Sequence, residues 1–258
     1  MIFRLLLYKL LRKFLFPFLN NSLISIKIRY LIGLYSVEPY YFNDFLESKK
    51  DKYLDRLNPN KRIEGFLAEL LTDNTENRIK ILDIGAGPIT KVGYKLDNMQ
   101  IELHPIDPLA KVYNRILHKK KIYPPVKTKL GNVENLSKSY GENEFDLIYA
   151  NNSIDHTANP LKAIYEIHYV LKTNHYFYFS HFIYEGNKNN YYGLHQWNFY
   201  CIDDNLFLSS RTKGIELNIT DEFRHLFDIE LTIVNRRITA KFKKLENFNT
   251  LHPTSLCI

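Results

Sequence analysis

The chain has 258 residues, of which 45% are apolar, and a formal net charge of +7. That length suits one α/β domain with additional elements. The two cysteines, Cys201 and Cys257, are too few for a disulfide framework or a zinc cluster, so we expect a cytoplasmic protein without a metal site. The modest charge is compatible with nucleic acid, acidic lipid or phosphorylated small molecules and selects none of them.

Residues 1–35 have the pattern of a basic amphipathic helix. Leucine and phenylalanine recur at helical spacing, and arginine and lysine stand between them. No apolar run reaches the roughly 18 uncharged residues of a membrane span, and no cleavage site of small residues follows. We expect this helix to pack on its own domain or a second subunit, or to lie on a membrane surface. Residues 1–60 then form an N-terminal helical segment, and residues 61–258 form the main domain.

From residue 79 the chain alternates between apolar runs and helical patterns, which is typical of a parallel sheet with crossover helices. The predicted strands are Ile79–Ile84, Ile101–Ile106, Val126–Leu130, Phe145–Ala150 and Tyr176–His181. The predicted helices are Ile63–Leu71, a helix near Lys91–Leu96, Leu109–His118 and Pro160–Leu171.

This alternation ends after the fifth predicted strand. Residues 184–215 read as an insertion, in which a polar and aromatic stretch is followed by short strand-like pieces. A helix is predicted at Thr220–Phe227 with Thr220 as its N-cap. An antiparallel hairpin of Ile229–Asn235 and Ile238–Phe242 is predicted to end the domain.

The first predicted strand leads into a glycine turn. Asp83 ends the apolar run, and Gly85 and Gly87 follow it. Glycine permits a sharp turn and lets a ligand approach the main chain, and a helix N-terminus after the turn would attract an anion. The pattern therefore predicts a nucleotide-binding corner. A P-loop is excluded because no Gly-Lys-Ser/Thr follows, and a dinucleotide fingerprint is incomplete because Thr90 replaces its third glycine.

Residues 63–182 carry four motifs in the order found in class I S-adenosylmethionine-dependent methyltransferases. The glycine corner is followed by Asp107 after the second strand, by Asn132 after the third, and by a Phe-Asp-Leu-Ile run in the fourth. The chain resembles this family, although Ile89 replaces a glycine and Asp is commoner than Asn132. The resemblance implies a Rossmann-like fold and S-adenosylmethionine as the cofactor. It also implies these cofactor-binding residues: Asp83, Gly85, Ala86, Gly87, Pro88, Asp107, Pro108, Leu109, Asn132, Val133, Asn151 and Asn152.

Methyl transfer to a hydroxyl needs a group that accepts the proton, and histidine is the usual base. Three of the nine histidines are predicted as catalytic candidates: His156, His181 and His195. Polar groups mixed with aromatic rings suit a sugar or another polyhydroxy acceptor. Such residues surround the last of these histidines, and we expect them to bind the acceptor: Tyr191, Tyr192, Gln196 and Trp197.

Residues 193–198 and the turn at 152–156 also resemble a bacterial subgroup associated with surface-polysaccharide and small-metabolite methylation. This resemblance implies a small-molecule acceptor, namely a sugar, a nucleotide sugar or a phosphorylated precursor that is methylated on oxygen. Three alternatives stay open: a nucleic-acid methyltransferase, a non-catalytic protein that retains the fold, and a dehydrogenase. No nucleic-acid partner is expected, because residues 151–154 lack the Asn-Pro-Pro-Tyr type of motif and the basic residues are dispersed.

Overall fold

The computed structural model describes residues 42, 45–46, 53–72, 77–97, 99–191, 194–210 and 214–246. The helix predicted for residues 1–35 lies outside this part of the chain, and its expected contacts stay a prediction. Within the described ranges, no helix has the length and apolar character needed to cross a membrane.

The elements follow one another in an α/β order. The strands are β1 (Arg78–Ile84), β2 (Gln100–Asp107), β3 (Lys129–Leu130), β4 (Phe145–Asn151), β5 (Leu171–Phe182), β6 (Asn198–Ile202), β7 (Asn205–Ser210), β8 (Ile215–Asn218), β9 (Phe227–Val234) and β10 (Arg237–Lys244). The helices are α1 (Gly65–Glu69), α2 (Ala110–Lys119), α3 (Pro160–Val170), α4 (Glu185–Lys188) and α5 (Ile219–Phe223). Short 3-10 helices lie at Asp55–Leu57, Val133–Lys138 and Ile154–His156.

A seven-stranded sheet forms the centre, with the strand order β3-β2-β1-β4-β5-β10-β9. Strands β1 to β5 pair in parallel, whereas β10 is antiparallel to both β5 and β9. The predicted mostly parallel sheet with a terminal antiparallel hairpin is therefore confirmed. The strand order reverses between β1 and β4, and ligands bind at such a reversal because the loops on either side diverge there.

The central strands are apolar on both faces because both faces are covered. Leu82 and Ile84 of β1 belong to the core cluster on the α3 side. Ile79 and Ile81 of the same strand belong to a second cluster on the α1 side. Alternate side chains of β1 therefore enter different core clusters, and this burial fixes the register of the strand. The glycine turn that follows is thereby held at the edge of the sheet.

The terminal hairpin and α5 show how local side chains set the element boundaries. The two-residue turn between β9 and β10 has positive φ at Asn235 and Arg236, as the twist of a tight hairpin requires. The predicted cap of α5 was wrong: the side chain of Asn218 accepts from the Asp221 amide at 3.2 Å. The Thr220 hydroxyl instead accepts from the Leu206 amide of β7 at 2.9 Å.

The helix predicted near Lys91–Leu96 is absent from the described residues. Segment 91–96 instead lies beside residues 61–63, where the Tyr94 amide donates to the Lys61 carbonyl at 2.7 Å and the Ile63 amide donates to the Lys95 carbonyl at 2.9 Å. A side chain at Gly93 would meet the backbone of Arg62. The backbone groups that a helix would use are thus bonded to a distant segment, and among the described residues the next helix begins only at Ala110.

Candidate active site

The turn after β1 is held in place by the neighbouring strands. The amides of Gly85 and Ala86 donate to the Ile106 carbonyl of β2 at 2.9 and 3.1 Å. Gly85 has a φ of +66°, and a Cβ there would lie 2.3 Å from the Cβ of Ser153. The Ser153 hydroxyl donates to the Ile84 carbonyl at 2.9 Å. Glycine is therefore required at position 85 by backbone conformation and by contact with the chain after β4.

Asp107 ends β2 and faces the same turn. Its two carboxylate oxygens accept from the amides of Gly87 at 3.1 Å and Leu109 at 2.8 Å. Burial raises the pKa of Asp107 to about 6, although both backbone bonds oppose that change. Each carboxylate oxygen has two lone pairs, so both oxygens can accept one further hydrogen bond from a ligand.

Asp83 lies behind the turn. Its side chain is buried and accepts from the Thr90 hydroxyl at 2.5 Å, and this hydroxyl in turn accepts from the Val92 amide at 3.1 Å. Burial raises the pKa of Asp83 to about 6. Asp83 therefore ties the glycine turn to the segment after it.

A cavity of about 580 Å³ opens over the turn and the ends of β1, β2 and β4. This volume lies within the usual range of small-molecule sites. All the predicted cofactor residues line it except Asp83 and Pro88. Two predicted catalytic residues, His156 and His195, line its other side, whereas His181 does not.

The three predicted histidines meet around one carboxylate that the sequence argument had not assigned. Asp155 is completely buried in the 3-10 turn after β4. Its Oδ2 lies 2.6 Å from His195 Nδ1 and 3.6 Å from His156 Nε2, and its Oδ1 lies 2.8 Å from His181 Nε2. The Asp-His pair in this turn was the one sequence feature that pointed to Asp155. No local pattern indicated that His181 and His195 lie next to it.

The electrostatics of this cluster follow from its burial. Burial alone would raise the pKa of Asp155, but the three imidazole rings outweigh that effect and hold it well below its usual value. Burial lowers the pKa of His156 to about 4, against the opposing charge of Asp155. Near neutral pH, therefore, a neutral His156 lies beside an ionised Asp155.

A family model described as a methyltransferase domain matches residues 75–224, more than half of the chain. This chain belongs to that family. Methyltransferases of this family use S-adenosylmethionine as the methyl donor, which confirms both the predicted enzyme class and the predicted cofactor. No curated relative matches the chain.

The chain is also similar to solved structures, at low sequence identity. An S-adenosylmethionine-dependent methyltransferase from Methanosarcina mazei is 17% identical, with a TM-score of 0.44 over 72% of this chain and 100% of the other. The YcgJ protein from Bacillus subtilis is 18% identical, with a TM-score of 0.40 over 71% of this chain and 98% of the other. Scores this low carry no argument about the acceptor, and the assignment depends on the family match.

The residues expected to bind the acceptor are placed elsewhere in the methyltransferase. Trp197 is buried in the core, and its Nε1 donates to the Thr157 carbonyl at 2.9 Å. The Gln196 amide donates to the Tyr191 carbonyl at 3.0 Å, and the Tyr191 hydroxyl donates to Asn187 Oδ1 at 2.7 Å. These three described residues do not line the cavity, and Tyr192 lies outside the described residues.

The cavity also contains residues that sequence reasoning missed. Three basic side chains line it: Arg56, Lys91 and Lys188. Lys91 Nζ donates to Asn151 Oδ1 at 3.2 Å, and Lys188 Nζ pairs with Glu185 at 3.0 Å. None of these residues belongs to a family motif. Their positions depend on the hydrogen bonds between residues 61–63 and 94–95 and on α4, and no sequence motif indicates either contact.

Proposed function

We propose that this methyltransferase methylates an oxygen of a small-molecule acceptor beside the cluster of Asp155, His156 and His195. One observation supports this most strongly: two partly exposed histidines, His156 and His195, line the cavity wall, and His195 lies 2.6 Å from a carboxylate that has no exposure to solvent. A rigid imidazole next to the methyl-donor site is the arrangement that proton acceptance from a hydroxyl needs.

The glycine corner suits the cofactor. Asp107 can accept from two vicinal ribose hydroxyls, since each of its oxygens has a lone pair beyond its backbone bond. Arg56 and Lys91 line the cavity near Asp83 and offer positive charge for the methionine carboxylate. The Oδ1 of Asn132 already accepts from the Glu134 amide at 3.0 Å, so its Nδ2 would donate to an adenine ring nitrogen. S-adenosylmethionine supplies an electrophilic methyl group and leaves as neutral S-adenosylhomocysteine.

In this proposal His195 accepts the proton of the acceptor hydroxyl during methyl transfer. The acceptor oxygen forms a bond to the methyl carbon while the carbon–sulfur bond breaks, and the electron pair of that bond stays on sulfur. His195 Nδ1 faces Asp155 at 2.6 Å, so the ring accepts the hydroxyl proton at Nε2. Asp155 then stabilises the imidazolium that forms, as a buried carboxylate does for a catalytic histidine in hydrolases. His181, which does not line the cavity, acts on this step by holding Asp155.

For the acceptor we propose a sugar, a nucleotide sugar or a phosphorylated precursor in surface-polysaccharide synthesis. The wall of the cavity beside β5 and α4 combines the ring of Phe182 with polar side chains of Glu185, Lys188 and Asn189. An aromatic face next to hydrogen-bonding groups suits a sugar ring, and an ammonium group suits a phosphate. This surface replaces Tyr191, Gln196 and Trp197 as the acceptor contact in our proposal.

The test is the release of S-adenosylhomocysteine in the presence of candidate sugars, nucleotide sugars and sugar phosphates. We expect turnover with one of these classes, and we expect His195→Gln to lower kcat about 100-fold or more with unchanged cofactor affinity. His118→Gln is the matched control, because His118 is exposed on α2. Equal kcat for wild type and His195→Gln would contradict the role of His195.

A further inference from the structure

Three donor atoms converge at the wall of the cavity from parts of the chain about 40 residues apart. His195 Nδ1 lies 2.6 Å from Asp155 Oδ2 and 3.2 Å from His156 Nε2. The third side of this triangle, from His156 Nε2 to Asp155 Oδ2, measures 3.6 Å. One oxygen and two nitrogens thus form a compact triangle with sides of 2.6, 3.2 and 3.6 Å, and both histidines border the cavity.

Hydrogen bonding does not account for all three sides of the triangle. The Nδ1 of His195 carries at most one proton, and the ionised oxygen of Asp155 at 2.6 Å is its better acceptor. The Nε2 of His156 faces the same two atoms at 3.2 and 3.6 Å. The carboxylate oxygen only accepts and each nitrogen carries at most one proton, so no placement of protons makes all three sides hydrogen bonds. A cation between the three atoms would stabilise all of them.

We propose that Asp155, His156 and His195 form a binding site for a divalent transition-metal ion such as Zn²⁺. Three points at these separations can all lie about 2.1 Å from one position, which is the length of Zn–N and Zn–O bonds in proteins. Two imidazole nitrogens and one carboxylate oxygen are donors that Zn²⁺ and similar ions accept. Three protein ligands leave further coordination positions open, as in catalytic zinc sites.

His181 completes the site as a supporting residue. Its Nδ1 lies 2.7 Å from the Phe182 carbonyl oxygen, so the main chain of the same strand fixes the orientation of the ring. Its Nε2 lies 2.8 Å from Asp155 Oδ1, the oxygen that is not part of the triangle. A partner on the second carboxylate oxygen is the usual way in which proteins orient a metal-binding carboxylate. The sequence did not predict this site because its donors are far apart in the chain.

The metal site deepens the proposed function, and its chemical role depends on that function. An acceptor hydroxyl bound to the ion would lose its proton to solvent at a lower pH, because the ion stabilises the alkoxide. The alkoxide oxygen then bonds to the methyl carbon, and the carbon–sulfur electron pair stays on sulfur as before. In the metal-bound enzyme His195 is a ligand through Nδ1, and the ion takes over the activation of the hydroxyl.

The binding test uses the full-length protein after treatment with a chelator and titrates it with Zn²⁺ by calorimetry. We expect one ion to bind to wild type and to His118→Gln, and to bind about tenfold more weakly or worse to His156→Gln and to His195→Gln. Co²⁺ then provides an independent readout, because its visible absorption reports its coordination number. Circular dichroism confirms that each variant is folded.

Two results would overturn the proposal: no Zn²⁺ binding to wild type, or equal binding to wild type, His156→Gln and His195→Gln. The outcome is separable from that of the proposed function. Zn²⁺ binding without turnover of any acceptor would support the metal site and contradict the proposed acceptors. Turnover that depends on His195 in a protein that binds no Zn²⁺ would retain the proposed function and remove the metal.

Discussion

The glycine corner and the histidine cluster are both parts of one cavity, but they are assembled in different ways. The corner comes from the ends of β1 and β2, which are paired strands, and its backbone amides donate to the Ile106 carbonyl and to the Asp107 carboxylate. The cluster is built from side chains after β4, at the end of β5 and after α4. Under the proposed function, backbone amides of the corner hold the cofactor, whereas side chains from distant segments act on the acceptor.

The largest effect is expected from Asp155→Asn, which tests whether one carboxylate holds the whole cluster. Replacement leaves three imidazole rings without their common charge partner. We expect kcat to fall about 100-fold or more and the free energy of unfolding to fall by about 3 kcal/mol. Turnover and urea unfolding measure the two effects.

Asp146→Asn is the matched control for this change. Asp146 is also a buried aspartate in the β4 region, but it binds the Lys80 amide and Lys172 and does not line the cavity. It should lose stability and retain kcat. A similar loss of kcat in both variants would mean that Asp155 acts only through stability.

A side chain at position 85 should disrupt the corner. Gly85→Ala places a Cβ at positive φ, which costs about 1–2 kcal/mol, and brings it into contact with Ser153. We expect weaker binding of S-adenosylhomocysteine in calorimetry, together with lower stability. The double variant with Ser153→Gly removes the contact and keeps the backbone strain, so it should recover part of both losses. Full recovery would mean that backbone conformation contributes little.

Cofactor affinity should depend on pH through Asp107. Its pKa is raised to about 6 by burial, so the carboxylate is ionised above that pH and takes up a proton below it. An ionised Asp107 can accept from both ribose hydroxyls, and protonation removes acceptor capacity. We expect the affinity for S-adenosylhomocysteine to decrease as the pH falls through 6.

Asp107→Asn sharpens the same prediction. It should bind about tenfold more weakly at neutral pH, because a hydrogen bond to a charged group contributes about 1.5–3 kcal/mol. Its affinity should also lose the dependence on pH near 6. A dependence as strong as that of wild type would assign the titration to another group, such as Asp83, whose pKa is also raised to about 6.

The smallest effect concerns Trp197. Trp197→Phe keeps an aromatic ring in the core and removes the bond to the Thr157 carbonyl. We expect a loss of about 1 kcal/mol in the free energy of unfolding and an unchanged KM for the acceptor, both measured on purified protein. A raised KM with unchanged stability would restore Trp197 as an acceptor contact.

Sequence reasoning succeeded where the information is local. The apolar runs predicted β1, β2 and β4, and the glycine turn with Asp107 predicted residues that line one wall of the cavity. It failed after β1, where no helix forms at Lys91–Leu96 and Tyr94 and Lys95 hydrogen-bond to residues 61–63 instead. Hydrogen bonding to a distant segment outweighed local helical preference there.

The candidate site shows the same limit. His156, His181 and His195 were each predicted as separate candidates, but Asp155, which brings them together, was not assigned. Their convergence depends on how β5 and the segment after α4 pack against the turn after β4. A single sequence carries no information about this packing. Trp197 shows the converse: its residue type suggested ligand binding, whereas its position in the chain buries it in the core.

The central claim is that the glycine corner binds the cofactor and the histidine cluster acts on the acceptor. The most direct test measures the affinity of the His156→Gln/His195→Gln double variant for S-adenosylhomocysteine by calorimetry, together with its turnover. If side chains of the cluster act only on the acceptor, affinity should stay within about twofold of wild type while turnover is lost. A loss of affinity that parallels the loss of turnover would show that the cluster holds the cofactor, and it would contradict the division proposed here.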